Sequence, residues 1–188
     1  TNTAGPVTSC TFVNGSTPAT TVGTTFTPAD FAVQAVDSFG NAVNGAPVAY
    51  MVPATGNPSV TGLTGGNTSG VSPNAGRFTP SGPVTANTIA GSYLVTATAA
   101  GVTCGTRSVT NNAGVFSQII IGTPGAPITA ANGFTDSAVI GQFFTKPIPF
   151  FVADQYGNPV LLATTVTFSA PADNVTNPTA AGTGGLTA

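Results

Sequence analysis

The sequence lacks most of the side chains on which enzyme catalysis depends. It contains no histidine, glutamate or tryptophan, and charged residues make up only 4% of its 188 positions. Without histidine there is no general base for a serine or cysteine triad, and zinc sites built from nitrogen and sulfur ligands have too few donors. We therefore predict no catalytic residue, no metal site and no cofactor.

Basic side chains are equally scarce, since the chain has only Arg77, Arg107 and Lys146. Nucleic-acid binding needs clustered lysine and arginine, so a net charge of −2 argues against nucleic acid as a partner. No apolar stretch is long enough to cross a bilayer, which argues against membrane insertion. The first residues, TNTAGPVTSC, have neither the basic nor the apolar region of a signal peptide, so we expect a mature form or an internal fragment.

The acidic residues are all aspartates, and they are spread thinly along the chain at Asp30, Asp37, Asp136, Asp154 and Asp173. Paired-carboxylate catalysis needs two acids brought close together, and calcium loops carry a dense motif such as DxDxD, which is missing here. Asp37 and Asp154 occupy equivalent places in two similar segments, which favours a role in turns. Calcium held at a domain junction by aspartate and backbone carbonyls is the less favoured alternative.

The residues that are plentiful favour β-structure. Hydrophobic residues make up 41% of the chain, enough to build cores, and valine, threonine, isoleucine and phenylalanine replace helix formers such as lysine, arginine and glutamine. The 24 glycines and 16 prolines provide turns between strands. Low charge with surfaces rich in threonine and asparagine is typical of extracellular proteins, so we expect a location outside the cell, on its surface.

The most informative feature is a phrase that occurs twice. Residues 31–53 have the sequence FAVQAVDSFGNAVNGAPVAYMVP, and residues 148–171 have the sequence IPFFVADQYGNPVLLATTVTFSAP. Each copy has an apolar run, an aspartate, an aromatic residue two positions later, Gly-Asn, a second alternating run and a proline. A repeat of this length indicates tandem domains rather than one large fold.

A second similarity places the boundary between the repeats. The segment TNTAG at residues 1–5 recurs as TNNAG at residues 110–114. We therefore assign residues 1–109 to a first repeat, which has the length of an immunoglobulin-like sandwich, and residues 110–188 to a second. We expect residues 111–114 to act as a short linker. About eight extra residues precede the aspartate of the second repeat, and we expect them around residues 122–134.

Alternating patterns predict strands within the first repeat, over residues 8–13, 26–36, 47–52, 91–99 and 102–109. In GSYLVTATA, residues 91–99, alternate side chains from Tyr93 to Ala99 should face one way, and their small size lets two sheets approach closely. Tyr93 resembles the tyrosine corner of sandwiches, in which the hydroxyl bonds back to the backbone. An ordinary half-buried tyrosine is the alternative.

The segments VQAVDSFGNAVNGAPVAYMVP, TANTIAGSYLVTATAAGVT and VADQYGNPVLLATTVTFSAP resemble the bacterial immunoglobulin-like repeats of the Big-1 group. Such repeats occur in invasin- and intimin-type adhesins and in other large bacterial surface proteins. The resemblance covers most of residues 1–109 and the first two thirds of a second copy. It implies an all-β fold of tandem immunoglobulin-like β-sandwiches that serve mainly as stalks, while separate tip domains do the binding.

The second repeat departs from this pattern because it is only 79 residues long. Nothing after Ala172 corresponds to GSYLVTATAAGVT, so we predict that this sandwich lacks its last strands. An incomplete sandwich exposes strand edges and apolar core. The chain is then a piece of a longer polypeptide, has a different C-terminal fold, or takes a strand from a neighbouring molecule. The expected partners are other copies of the chain or neighbouring repeats of the same polypeptide.

The two cysteines, Cys10 and Cys104, lie near the two ends of the first repeat, where the first and last strands of a sandwich come together. We therefore predict a disulfide between them, which would close a loop of nearly the whole domain and would require an oxidising compartment. Two buried free thiols are the alternative.

Two sets of residues are candidate surface features. Glycosylation sequons begin at Asn14, Asn67 and Asn174, although such triplets also arise by chance in a chain rich in asparagine and threonine. Neighbours in a strand face opposite sides of a sheet, so one ring of each adjacent phenylalanine pair should point outward. Those pairs are Phe143 with Phe144 and Phe150 with Phe151. The outward rings are covered by a loop or the next domain, or they form a subunit interface.

These features together predict a structural, non-catalytic component of the cell surface, a stalk or filament that assembles through immunoglobulin-like repeats. The alternative is an adhesin or carbohydrate-binding module of a larger secreted protein. A third class is an accessory module of a secreted hydrolase.

Overall fold

The structure is a computed structural model that describes residues 3–69, 75–129 and 147–161, together with the backbone of residues 165–166 and 186–187. The chain divides into unit 1 (Thr1–Ala113) and unit 2 (Gly114–Ala188). Regular structure in the described residues is β-strand apart from one short 3-10 turn, which confirms the all-β prediction. Within these ranges, no helix has the length and apolar character that a membrane span requires.

Unit 1 is built from one larger sheet that faces two smaller ones. Its strands are β1 (Ser9–Phe12), β2 (Ala19–Thr21), β3 (Thr25–Phe26), β4 (Val33–Val36), β5 (Pro47–Met51), β6 (Val60–Thr61), β7 (Gly66–Asn67), β8 (Arg77–Phe78), β9 (Val84–Ala86), β10 (Gly91–Ala99) and β11 (Val102–Asn112). The larger sheet has the order β2-β11-β10-β5-β7. The smaller sheets have the orders β1-β4-β8 and β3-β9-β6.

Two clusters of buried side chains hold these layers together. The first joins β1 and β4 to the larger sheet and includes Cys10, Val33 and Ala97. The second joins the β3-β9-β6 sheet to the other end of the larger sheet and includes Val84 and Val95. Sheets that pack through their apolar faces in this way form a β-sandwich, the predicted architecture.

The hairpin of β10 and β11 forms the centre of the larger sheet. Tyr93, Val95, Ala97 and Ala99 are buried whereas Leu94 is 59% exposed, so the alternation predicted for this segment is confirmed. The pairing is antiparallel, with a register shift after Ala97. Alternation is reliable in this segment because one face of the strand meets the core and the other meets solvent.

The segment predicted as one strand over residues 26–36 is interrupted in the structure. A 3-10 turn, Pro28–Phe31, separates β3 from β4. Proline has a fixed φ and no backbone N–H, so it does not continue a ladder but suits the first turn of a helix. The turn directs Phe31 into the second core cluster, where its ring meets Phe26 edge to face at 5.6 Å between centroids.

The linker predicted at residues 111–114 is only partly a linker. Asn111 and Asn112 belong to β11, and Asn111 is 1% exposed within the core of unit 1. The boundary between the two units lies between Ala113 and Gly114 instead. The prediction was wrong because an Asn-Asn-Ala-Gly sequence favours a turn, whereas buried hydrogen bonds hold the asparagines in the strand.

Unit 2 contains a small sheet of β12 (Gln118–Thr123), β13 (Ala126–Pro127) and β14 (Phe150–Ala153), in the order β13-β12-β14. Two further short strands, β15 (Thr165–Val166) and β16 (Leu186–Thr187), pair antiparallel with each other.

Candidate functional site: a repeated aspartate turn, a strand face and a cleft

The repeated sequence phrase forms a turn around one buried carboxylate. In unit 1, Asp37 follows β4, and its Oδ1 accepts hydrogen bonds from the backbone N–H groups of Phe39 and Asn41, both at 2.9 Å. Its Oδ2 accepts one from the Gly5 N–H and one from the Asn41 side-chain amide, both at 3.0 Å. Gly40 closes the turn with a φ of +79°. The carboxylate thus fixes both its own turn and the chain that enters the unit.

Asp154 repeats the same four hydrogen bonds in unit 2. Its Oδ1 accepts from the N–H groups of Tyr156 at 2.8 Å and Asn158 at 3.0 Å. Its Oδ2 accepts from the Gly114 N–H at 2.8 Å and from the Asn158 side-chain amide at 2.9 Å. Gly157 has a φ of +85°. The Asp-x-aromatic-Gly-Asn pattern and the preceding Ala-Gly are therefore parts of one local structure.

These hydrogen bonds keep both carboxylates ionised. Donation from the Gly5 N–H and then from the Asn41 side chain lowers the pKa of Asp37 to about 2. Burial raises the pKa of Asp154, but the hydrogen bonds from Asn158, Gly114 and Tyr156 outweigh it, so that pKa is also lowered. Hydrogen bonds to the charged form favour that form.

The calcium alternative finds no support at these aspartates. An ionised carboxylate has about four acceptor positions, and each of the two side chains accepts four hydrogen bonds. No acceptor position is left to bind a cation. In the described part of the chain, no group of three or more histidine, cysteine, aspartate or glutamate side chains could hold a metal ion.

The aspartate turns also show which strand residues of unit 1 and unit 2 correspond to each other. In unit 1, Ser9 of β1 pairs with Val36, the residue before the aspartate. In unit 2, Gln118 of β12 pairs with Ala153, again the residue before the aspartate. The strand pair β12–β14 therefore corresponds to the pair β1–β4, one side of the sandwich in unit 1.

The core-facing side of this strand pair is only partly covered in unit 2, where Val152 is buried but the isoleucines around it are not. Ile119 corresponds to Cys10, and it is 45% exposed where Cys10 is 6% exposed. Ile148 corresponds to Phe31, and it is 55% exposed where Phe31 is fully buried. Ile121, on the same side as Ile119, is 48% exposed. We call Ile119, Ile121 and Ile148 the isoleucine face.

The phenylalanines predicted at an interface lie partly on this strand pair. Phe150 and Phe151 are neighbours on β14, opposite Ile121 and Ile120 respectively, so they face opposite sides of the sheet, and both are partly buried. Phe150 lies on the side of the isoleucine face, since directly paired residues share a side. Phe143 and Phe144 lie outside the described residues.

The predicted sequons differ in accessibility. Asn14 is partly buried, and its side-chain amide donates to the Ala29 carbonyl at 3.0 Å. Asn67 is exposed on the short strand β7. Asn174 lies outside the described residues.

Cys10 and Cys104 form a disulfide that joins β1 to β11, and thus one layer of the unit 1 sandwich to the other. Each half-cystine is 6% exposed. The described residues contain no free cysteine.

The tyrosine-corner prediction for Tyr93 is wrong. The Tyr93 hydroxyl donates to the Asn111 side-chain oxygen at 3.1 Å instead of returning to the backbone. Asn111 in turn donates to the Ser59 carbonyl at 2.9 Å and to the Ile89 carbonyl at 3.2 Å. A tyrosine that bonds to backbone does exist, because Tyr50 donates to the Phe31 carbonyl. The alternating pattern around Tyr50 in the sequence gave no indication of this hydrogen bond.

Sequence reasoning also missed Arg107. Its side chain points between the layers, level with Val95 on the neighbouring strand, and is only 6% exposed. The guanidinium lies 4.6 Å from the centre of the Phe12 ring and donates to the Asp30 carbonyl. It lines a cleft of about 360 Å³ between β1, the loop at residues 14–17 and β11. The signal available in the sequence was an arginine at an inward position of an otherwise uncharged strand.

No protein-family model matches this chain. No curated protein matches it either. Among solved structures, the chain is similar to FdeC, an Escherichia coli adhesin, with a TM-score of 0.43, 16% identity and coverage of 79% of this chain and 42% of that one. It is also similar to Yersinia pseudotuberculosis InvD, with a TM-score of 0.38, 20% identity and coverage of 84% and 46%. The chain thus spans less than half the length of either structure, and similarities at this level carry no argument about its function.

Proposed function

We propose that this chain is a structural, non-catalytic component of an extracellular assembly at a cell surface, built from tandem immunoglobulin-like repeats of the Big-1 kind. The second repeat corresponds to unit 2, Gly114–Ala188. The disulfide between Cys10 and Cys104 supports a location outside the cytoplasm, since such bonds persist in oxidising compartments.

The observation that carries an assembly role is the isoleucine face. Positions that are buried in unit 1 are about half exposed in unit 2, although the strand pairs are equivalent. The described residues of unit 2 contain a single charged side chain, Asp154, and it is enclosed in its turn. An apolar, uncharged sheet face is the kind of surface that is covered in a complex.

We assign a second copy of this chain as the molecule that covers the face. Two identical apolar faces pack in the same way from both sides, as a twofold interface requires, and the lack of charge removes repulsion between copies. The product is a two-layer sandwich formed between molecules, of the kind that unit 1 forms within itself.

Sedimentation velocity over a wide range of protein concentrations tests this proposal. The wild-type chain should associate as its concentration rises, and Ile119→Asn should weaken that association. Leu94→Asn is the matched control, because Leu94 is also an exposed aliphatic residue but lies on the outer side of β10 in unit 1.

A wild-type chain that stays monomeric at every concentration, with slow amide exchange throughout β12 and β14, would contradict assembly through this face. Equal weakening by both variants would contradict it as well. If a neighbouring repeat of the same polypeptide covers the face, the longer polypeptide should be monomeric and its Ile119 should be protected.

A second candidate function, an adhesin or carbohydrate-binding module, is favoured by one observation. The cleft beside Arg107 combines a buried cation with hydroxyl side chains, which is suitable chemistry for a small polar ligand.

A further inference from the structure

The cleft beside Arg107 has the size and position of a small-ligand site. Its volume of about 360 Å³ lies at the lower end of the range for ligand pockets. The cleft lies where the end of β1 and the loop at residues 14–17 approach β11. It lies wholly within unit 1 and is separate from the isoleucine face.

Arg107 is a buried cation with most of its donors unused by the protein. The guanidinium has five N–H groups, and the described residues accept one hydrogen bond from it, at the Asp30 carbonyl. The Phe12 ring covers one side of the guanidinium. Within the described ranges it forms no ion pair, although buried charges in proteins are ordinarily paired. The chemistry of this site therefore suits an anion.

The edge of β11 supplies backbone groups to the same cleft. The Thr110 N–H donates to the Pro18 carbonyl at 2.9 Å, so even-numbered residues of this stretch direct their N–H and C=O groups away from β10. The partner strand β2 reaches only from Thr110 to Asn112. Thr106 and Ser108 line the cleft, and in the described residues no strand pairs with their outward backbone groups. Their side chains face the outer side of the sheet with Leu94, so it is their backbone groups that border the cleft, which Ser16 and Thr17 line from the loop.

We propose that this cleft binds an acidic sugar unit, with the sugar carboxylate paired to Arg107 and the sugar hydroxyls bonded to the outward backbone groups of Thr106 and Ser108. A guanidinium binds a carboxylate through two parallel hydrogen bonds, which gives strength and orientation together. Sugar hydroxyls donate and accept, so they match the N–H and C=O groups of the open strand edge. This site rests on the second candidate function and is independent of the assembly role.

The surroundings also set the strength of binding. Burial lowers the pKa of Arg107, while the negative charge of Asp30 raises it, so desolvation of the cation is only partly compensated. A ligand carboxylate would supply the missing compensation. Asp30 accepts a long hydrogen bond from Ser16 at 3.4 Å and would repel a second carboxylate nearby. We therefore expect dissociation constants in the millimolar range for a single sugar unit.

Titration of the full chain with glucuronate, followed by amide nitrogen–proton NMR spectra, tests the proposal. Glucuronate should shift the amide signals of Thr106 and Ser108, whereas glucose, which lacks the carboxylate, should bind at least about tenfold more weakly, since hydrogen bonds to charged groups are the stronger class. Gly15→Leu should abolish binding, because Gly15 lines the cleft and a side chain added there has open space to occupy. Gly82→Leu is the matched control, a glycine that also has open space but lies outside the cleft.

Arg107→Met keeps the side-chain stem against Phe12 and removes the charge, so it should lose discrimination between glucuronate and glucose. If that variant does not fold, the comparison of Gly15→Leu with Gly82→Leu still decides the question. Equal binding of the two sugars, unchanged glucuronate binding by Gly15→Leu, or no binding at all would overturn the proposal. An acidic dipeptide that binds while glucuronate does not would also overturn it, since the cleft would then be a peptide site. Sedimentation behaviour is unaffected in each case, so failure here is distinguishable from failure of the assembly role.

Discussion

At the residue scale, the two buried carboxylates explain why the same short phrase occurs in both units. Asp37 and Asp154 each accept three backbone N–H groups and one side-chain amide, and each ties down the glycine at the start of its unit, Gly5 or Gly114. An aspartate is required because four donors converge on one small side chain. Asparagine, which has only one acceptor oxygen, cannot replace it without opposing two donors.

Asp154→Asn should destabilise unit 2 by roughly 1–3 kcal/mol, the usual result of leaving buried donors unsatisfied. Thermal or chemical unfolding measures this change. Asp30→Asn is the control, since within the described ranges that carboxylate accepts one long hydrogen bond, from Ser16, and should have a smaller effect. Equal losses in the two variants would show that the turn does not depend on the converging donors.

The lowered pKa values predict acid sensitivity with a definite sign. A carboxyl with a folded-state pKa below its unfolded value, near 3.9, adds stability that is fully present above that value. The contribution is lost as pH falls toward the folded pKa, about 2 for Asp37. Stability measured between neutral pH and pH near 2 should therefore fall in the acid range, and Asp37→Asn should flatten the decline. An unchanged profile in that variant would exclude Asp37 as its source.

At the element scale, the end of β11 depends on a buried polar side chain rather than on apolar packing. The Asn111 amide donates to the carbonyls of Ser59 and Ile89, and its oxygen accepts from Tyr93. This network joins the last strand of unit 1 to two loops and to β10. A strand end that would fray in a simple sheet is thereby held in the core up to the boundary with unit 2.

Asn111→Ala should cost unit 1 about 2–4 kcal/mol, because the buried Tyr93 hydroxyl loses its acceptor and the Ser59 and Ile89 carbonyls each lose a donor. Asn112→Ala is a close control, since Asn112 is the exposed neighbour on the same strand. Its effect should stay within about 0.5 kcal/mol, as for ordinary surface substitutions. Denaturant unfolding of both variants tests the difference. Similar unfolding midpoints would show that the hydrogen bonds of Asn111 do not stabilise unit 1.

The turns of the repeated phrase need glycine for backbone reasons. A Cβ on Gly40 would meet no atom within 4 Å, yet its φ of +79° is one that other residues rarely adopt. Gly40→Ala should therefore destabilise unit 1 by about 1–2 kcal/mol through backbone strain alone. Gly15→Ala, which also has open space but no positive φ, should be close to neutral. Equal unfolding midpoints for the two variants would contradict this reason for glycine.

At the scale of the whole molecule, stability is divided unequally between the two units. Unit 1 has two core clusters and a disulfide that spans a separation of 94 residues. The disulfide closes a long loop in the unfolded chain, which stabilises the folded state chiefly by limiting that loop. Unit 2 has no cysteine and exposes its isoleucine face.

Replacement of both Cys10 and Cys104 by alanine should lower the stability of unit 1 by about 2–5 kcal/mol. Spectroscopic probes placed in unit 2 should report no change. Calorimetry with and without a reducing agent measures the same effect on the wild-type chain. A loss of structure in both units together would show that their folding is coupled.

Much of the fold could be predicted because the signals are local. Alternation in GSYLVTATA reflects a strand with one buried side, and the repeated phrase specifies a turn that forms from its own residues. The disulfide was predicted, with free thiols as the alternative, from the position of the cysteines near the ends of the first repeat. Predictions failed where tertiary contacts decide, as at Phe31, Tyr93 and Asn111, whose partners are distant in sequence.

The sequence by itself determined the β-rich class, the repeated aspartate turn and the scarcity of chemical groups, because composition and short-range hydrogen bonding depend on neighbouring residues. The tertiary structure alone decided which side chains are covered. It placed Arg107 inside the sandwich beside an open strand edge, and it left Ile119 exposed where Cys10 is buried. Burial is set by which strands face one another across the layers, and that pairing joins residues that are far apart along the chain.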